Sequence, residues 1–470
     1  MYDLTNDIMY NNIDTYVFLY CSAFEKNIKM LEKKFNKGKS FGISDYFSNE
    51  SNKILKIVKN KKKFIICKVS EKKCSKEEID NSIFEISTIL KNEKKSINIQ
   101  IICAPIKNFI DFQIERFIFY MYEFNKYKTL KEKNKKKIHF CIDKSVNDEA
   151  KLAIITGNQI NLSRNLINEP PNIMNSKKIL SIIKKNLAKK IKLEIFEEKK
   201  LKKDGFNLIL SVNNASKNKP YLLILKYLPL KNKKPCVLIG KGVTFDSGGT
   251  NIKYGSFHDM KTDMTGGSVV FSTINLLAKH KVKKNVIALI PLVENMLNEN
   301  ATRPGDVIVS HSKRTVEILN TDAEGRLIMA DCLSYSKTFN PRYIINVSTL
   351  TGQVGQIFNK EAIAMMGTSK KLQDKIEEIS KQTNEKIWKL PLWDKYDLLL
   401  KSSVADIKNS NDKAGSQTIV AGSFLKFFVP NGVKWVHLDI AGVSYDEKNP
   451  RYNGASGISI KTLTELVKSY

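Results

Sequence analysis

Arginine and histidine are both scarce in this chain of 470 residues. Only seven of its 78 basic residues are arginine (116, 164, 303, 314, 326, 342 and 451), although the formal net charge is +30. Proteins that read nucleic-acid sequence favour arginine for its two-pronged contacts. The lysine- and asparagine-crowded surface, as in Lys59-Asn-Lys-Lys-Lys63 and 131–137, follows as readily from an AT-rich coding sequence as from attraction to polyanions. The five histidines (139, 258, 280, 311 and 437) are dispersed and form no His-Glu-x-x-His pair, which rules out a metal held mainly by histidine. His258 reads as a loop residue. Seven cysteines (21, 67, 74, 103, 141, 236 and 332) never form Cys-x-x-Cys. Neither a disulfide framework nor a zinc knuckle is expected, and the pattern suits a reducing cytosol. No apolar run approaches the ~18 residues that cross a bilayer, and the mildly acidic start lacks a signal-peptide profile. The expectation is a cytoplasmic protein without a membrane segment. Gly240-Lys-Gly242 is followed by Phe245 where a dinucleotide fingerprint needs glycine, and no phosphate-binding Gly-Lys-Ser/Thr loop is present. Nucleotide binding is thereby excluded.

What is present points to an α/β protein. The length accommodates two or three domains, and the 42% hydrophobic and 27% charged content is that of a globular chain. In the first ~145 residues, β-type runs (Tyr16–Tyr20, Phe64–Cys67, Ile97–Ile102, Ile138–Ile142) alternate with helical stretches (Asn81–Lys91, Phe109–Tyr127). This predicts a small N-terminal α/β domain, 1–145. A helix over Asn147–Asn168, stopped by Glu169-Pro-Pro-Asn172, is the expected connector, 146–174. From 175 to 470 the βα alternation is stronger and implies a mostly parallel sheet covered by helices. No internal repeat is found.

The chemistry concentrates in two stretches. Asn320-Thr-Asp-Ala-Glu-Gly-Arg326 puts Asp322 and Glu324 two residues apart with a guanidinium behind them. Strand-like alternation precedes this stretch and helical spacing follows it, so Asp322 reads as an N-cap at a sheet edge, where ligands bind in α/β folds. The second stretch holds Lys241 and Asp246 in a glycine-rich turn after Val237-Leu-Ile239, then Lys253, Met260 and Asp263. Asp246, Asp263, Asp322 and Glu324 come from three segments. Carboxylates in that number repel unless cations neutralise them, and two divalent ions about 3.5–4 Å apart would do so. Lys241 reads either as an unusual ligand, which must lose its proton from an ordinary pKa of about 10.4, or as a counter-charge.

These stretches, with Arg164–Asn172, Leu350-Thr-Gly352, Ala405–Asn409 and Trp435–Gly442, closely resemble the M17 leucyl aminopeptidase (cytosol aminopeptidase) family over roughly 150–470. The resemblance implies a homohexameric, cytosolic exopeptidase with two divalent ions per subunit (Zn2+ or Mn2+; Co2+ or Mg2+ possible) and a bicarbonate. Lys241, Asp246, Asp263, Asp322 and Glu324 are then the metal ligands. Asp246 and Glu324 would bridge the ions, and Lys241 with Asp263 would complete the tighter site. Lys253 would be the electrophile, and Arg326 would hold the bicarbonate base. Met260, Thr351, Gly352 and Ala441 would surround the first side chain of a peptide with a free amine, neutral and apolar by preference. Tyr254, Thr262, Thr265–Ser268 and Gln353–Phe358 depart from the family pattern, which bears on pocket shape rather than on the ligands. Two other expectations compete. One is a DNA-binding or architectural role, which the resemblance implies for some bacterial relatives. The other is two-metal phosphoester cleavage, for which a phosphate clamp is lacking.

Overall fold

A computed structural model describes residues 2–5, 13–21, 42–48, 53–59, 61–70, 75–93, 98–102, 109–129, 136–142, 144–255, 257–411 and 413–470. Cys74, Cys103, Ile97 and most of the lysine run 131–137 lie outside them. The chain divides into two compact units, Met1–Asn161 and Leu162–Tyr470, the division falling inside the helix Asn147–Asn168. Among the described residues no helix is long and apolar enough to cross a membrane.

The first unit holds a six-stranded sheet. Strand Thr15–Cys21 pairs in parallel with Lys62–Ser70 and Asn98–Ile102, while Ile54–Lys59 closes one edge antiparallel. The helix Lys76–Asn92 begins with a capping box, in which the Ser75 side chain accepts from Glu78 N and Glu78 reaches back to Ser75 N. Its face Ile79, Ile83, Ile86 and Leu90 is buried at the three- and four-residue spacing of an amphipathic helix.

The second unit is built on a nine-stranded mixed sheet: β1 (Lys192–Glu197), β2 (Tyr221–Tyr227), β3 (Cys236–Gly240), β4 (Gly242–Asp246), β5 (Val286–Asn295), β6 (Tyr343–Ser348), β7 (Ile363–Gly367), β8 (Ile387–Lys389) and β9 (Lys434–Asp439). Five of its pairings are parallel and three antiparallel. The parallel centre is β9-β6-β3-β5. Every residue of β3 and β6 is buried, as continuous apolar strands require when both faces are covered. The covering helices include α1 (Thr265–Lys279), α2 (Glu324–Tyr335) and α3 (Gln417–Lys426). Each fully buried Ile or Leu of this layer, such as Ile344 or Leu289, contributes about 1.5–3 kcal/mol.

Three local readings are corrected. The strand before the 320s motif, Thr315–Glu317, belongs to a separate three-stranded sheet with Val307–Val309 and Ile407–Lys408, not to the main one. Residues 257–264 form a 3₁₀ helix ahead of α1, with His258 exposed on it rather than in a loop. The Thr262 and Thr265 hydroxyls bond back to the carbonyls of Asp259 and Thr262 there, which tightens the turn. Asp322 is not an N-cap: α2 starts at Glu324 after Ala323, with no side-chain cap.

Candidate functional site

Glycines make the site possible. A Cβ on Gly240 would lie 2.4 Å from Gly266 O, and one on Gly266 would lie 2.2 Å from Val347 O. The end of β3, the start of α1 and the end of β6 therefore touch backbone to backbone. That contact brings Lys241, the first residue past β3, against Asp263, just before α1. Gly325 plays the same part from the other side, because a Cβ there would meet Lys241 Cε at 2.4 Å. The glycine between Glu324 and Arg326 is the slot in which the lysine stem lies.

Lys241 Nζ donates to Asp263 Oδ1 (2.7 Å) and to the Thr349 carbonyl (2.9 Å), and it lies 2.7 Å from Glu324 Oε1. Lys253 Nζ stands 2.8 Å from Asp246 Oδ2 and 2.5 Å from Asp322 Oδ1. One oxygen each from Asp246, Asp322 and Glu324 falls within 4.8 Å of the others. These residues, with Asp263, Arg326, Met260, Thr351, Gly352 and Ala441, line one cleft of about 570 Å³. All eleven residues singled out from the sequence share it, and no histidine lines it.

Four carboxylates face two lysines, so negative charge is in excess. Burial raises the pKa of Asp246, Asp263 and Glu324, and repulsion between the carboxylates adds to it. Asp322 is pushed up to about 7, by burial first and then by Asp246 and Glu324. Burial alone would lower the two lysines, but the surrounding carboxylates outweigh it and hold both ammonium groups well above their ordinary range. Among the described residues Asp263 Oδ2 is buried without a hydrogen-bond partner. Asp322 Oδ1 and Glu324 Oε1 meet their lysines at ion-pair distance but without hydrogen-bond geometry. Under-satisfied carboxylate oxygens converging on one cleft are the donor set that divalent cations take, and the residues fit such ions.

Comparison with known proteins agrees with this chemistry. Residues 161–464 match the model of the cytosol aminopeptidase family, catalytic domain. The chain belongs to that family. It is 38% identical over 363 residues to a probable cytosol aminopeptidase of Phytoplasma australiense, covering 74% of this chain and 73% of that protein. It is 39% identical over 360 residues to one of Brucella ovis, covering 74% and 72%. The solved structure of the bottromycin maturation enzyme BotP in complex with Mn superposes with a TM-score of 0.85 at 23% identity, covering 97% of this chain and 99% of that one, which shows a shared fold. Membership makes the protein a metal-dependent aminopeptidase, a hydrolase.

Around the aminopeptidase centre stands a layer of neutral amides to which the sequence reading gave no role. Asn295, the last residue of β5, donates from Nδ2 to Asp246 Oδ1 (2.7 Å) and to the Thr321 carbonyl (3.1 Å). Gly248 N also donates to Asp246 Oδ1 (2.9 Å), so Oδ2 is the oxygen turned toward Lys253. Thr321 and Asn251 are tied reciprocally, Thr321 N to Asn251 Oδ1 (2.9 Å) and Asn251 N to Thr321 Oγ1 (2.8 Å). On the far side, fully buried Asn409 accepts at Oδ1 from Leu319 N (2.8 Å) and Asn320 N (3.3 Å). Its Nδ2 donates to the Asn320 carbonyl (2.7 Å), and its own carbonyl accepts from Arg326 Nη1 (2.7 Å). Asn409 lies inside a motif already noticed in the sequence, and that was the available signal. Asn409 thus ties the loop that leads into Asp322 to the first turn of α2, which carries Glu324 and Arg326. Asn409→Ala is expected to weaken metal affinity by about 10- to 100-fold, read by competition with a chelator of known affinity. An unchanged affinity would leave Asn409 a packing residue only.

Proposed function

We propose that the chain removes the N-terminal residue from peptides with a free amine, preferring neutral apolar residues such as leucine. The observation that carries this reading is the convergence of Asp246, Asp263, Asp322 and Glu324 with Lys241 and Lys253 in one cleft that also contains Arg326. Lys241, Asp246, Asp263, Asp322 and Glu324 would hold two divalent cations, zinc or manganese with cobalt or magnesium as alternatives. Such ions polarise a carbonyl and lower the pKa of water toward neutrality. Lys241, an ammonium between Asp263 and Glu324, would give up its proton in exchange for a cation.

The remaining roles belong to the chain's own groups. Lys253 keeps its positive charge and reaches the cleft from a segment anchored by Lys253 N on the Ser247 carbonyl (2.9 Å). It would stabilise the oxyanion that develops on the scissile carbonyl, a role suited to a preorganised, largely buried cation. Arg326, held by the Asn409 carbonyl, would bind a bicarbonate supplying a general base. The free amine of the substrate would ligate one of the cations, which is the reason an unblocked N-terminus is expected. Met260, Thr351, Gly352 and Ala441 carry no charge, which suits a neutral first side chain. A cytoplasmic homohexamer is the assembly we propose, with peptides as its substrates.

The test is hydrolysis of leucine amide with manganese, zinc or cobalt supplied. Turnover should vanish on exhaustive chelation, return with added metal, and be absent with N-acetyl-leucine amide. Hydrolysis that survives chelation would sink the reading.

A further inference from the structure

Asp439 is the last residue of β9, in register with Ser348, the last residue of β6, at the sheet edge that carries the cleft. It is completely buried. Its Oδ1 accepts from Leu350 N (3.0 Å) and Ala441 N (3.2 Å), and its Oδ2 accepts from Thr351 Oγ1 (2.7 Å). Among the described residues no lysine or arginine pairs with it at contact distance; Lys241 acts on it only through its field. A carboxylate buried without a cation is costly and persists only where donors satisfy it. Here the donors come from the two loops that bear Thr351, Gly352 and Ala441, three of the four residues assigned to the first-residue pocket.

The network continues outward. Thr351 gives its proton to the carboxylate, which can only accept, so Thr418 Oγ1 (2.8 Å away) is the donor between the two hydroxyls. Thr418 N, in the first turn of α3, donates to Gln353 Oε1 (3.1 Å), and Gln353 Nε2 donates to the Gly415 carbonyl (2.6 Å). Both pocket loops and the start of α3 thus hang from one acceptor. Asparagine would fill the same volume but offers one acceptor oxygen where three donors converge, and its amide would face them donor to donor.

We infer that Asp439 is a positioning residue that sets the width of the first-residue pocket, so that the choice of N-terminal residue depends on it while metal loading does not. This rests on the aminopeptidase reading above. Gly352 fits the same view. Its backbone (φ −61, ψ −24) is open to any residue, and none of the described residues lies within 4 Å of a Cβ built there. Glycine at this position therefore leaves room rather than providing a turn.

The experiment compares kcat/KM for the amides of leucine, methionine, phenylalanine and alanine, using the full-length metal-loaded chain, with bound metal counted. Asp439→Asn and Thr351→Val should each lower the leucine-over-alanine ratio by about tenfold at unchanged metal content. Thr351→Ser should retain the wild-type ratio. The double variant Asp439→Asn/Thr351→Val should be no less selective than Asp439→Asn alone, because both remove one link. An unchanged ratio in either single variant, or multiplying effects in the double, overturns the inference. If Asp439→Asn fails to fold, Thr418→Val takes its place, because Thr418 belongs to the same network but does not line the cleft, and an unchanged ratio there overturns the inference. A wild-type chain that cleaves none of the amides refutes the aminopeptidase reading instead, a result distinct from a selectivity that survives the substitutions.

Discussion

Glu324→Gln is expected to strip the aminopeptidase of bound metal and to lower kcat/KM by about three orders of magnitude, the several kcal/mol that a polarising cation supplies. The fold should not suffer. Glu324 is fully buried, 2.7 Å from Lys241 Nζ and within reach of Asp246 and Asp322, and glutamine has its shape. Removing one negative charge from a cluster with too many relieves repulsion, so the chelated variant should melt no lower than the chelated wild type. Loss of metal and activity together with unchanged or raised thermal stability separates a ligand from a structural ion pair. Stoichiometric metal with full turnover in the variant would exclude Glu324 as a ligand. A pH dependence accompanies this. The Asp322 carboxyl, pushed up to about 7 chiefly by burial, binds its proton more tightly in the folded chain than in the unfolded one. Its contribution to the stability of the chelated protein is full below the ordinary carboxylate range of about 4 and is lost as pH rises through about 7. Cations compete for the same oxygens, so loading should release protons and tighten as pH rises through that window.

The parts of this site that sequence exposed are those written in short, local chemistry. Gly240-Lys-Gly242 and Asp322-Ala-Glu-Gly-Arg326 each place charged groups beside glycines within a few residues, and the structure brings both to one sheet edge. The helix Asn147–Asn168 was legible to the residue because two prolines end it. The small sheet of Val307–Val309, Thr315–Glu317 and Ile407–Lys408 was not, since its strands are two or three residues long and one arrives from ninety residues away. The antiparallel placement of β2 between β1 and β5 was equally hidden, because a buried strand reads as the same apolar run whichever way it points. Asn295, Asn409 and Asp439 escaped for a further reason. Each acts through bonds to backbone groups tens of residues distant; Asn409 and Asp439 stand in stretches that carried the resemblance, but nothing local in those stretches announces such distant partners.

Lys253→Ala gives the second large effect, and it distinguishes two accounts of that lysine. Its ammonium lies between Asp246 Oδ2 and Asp322 Oδ1, so it could serve merely to neutralise carboxylates that cations would otherwise neutralise. On that account, removing it should leave a protein that binds metal at least as tightly and turns over normally. As an electrophile, by contrast, it acts only when charge develops on the substrate carbonyl. Removal should then lower kcat by about 10²–10³ with KM and metal content little changed, since ground-state binding does not depend on it. The carboxylates hold its pKa far above the ordinary lysine value despite burial, so it is charged throughout the neutral range and no part of a bell-shaped rate profile between pH 6 and 9 should move with it. Lys253→Arg should restore little. A planar guanidinium spreads its charge and cannot replace a compact ammonium between two carboxylates already 2.8 and 2.5 Å from Nζ. Steady-state kinetics with metal counted in the same samples decides between the two, because only the electrophile loses kcat while keeping its ions.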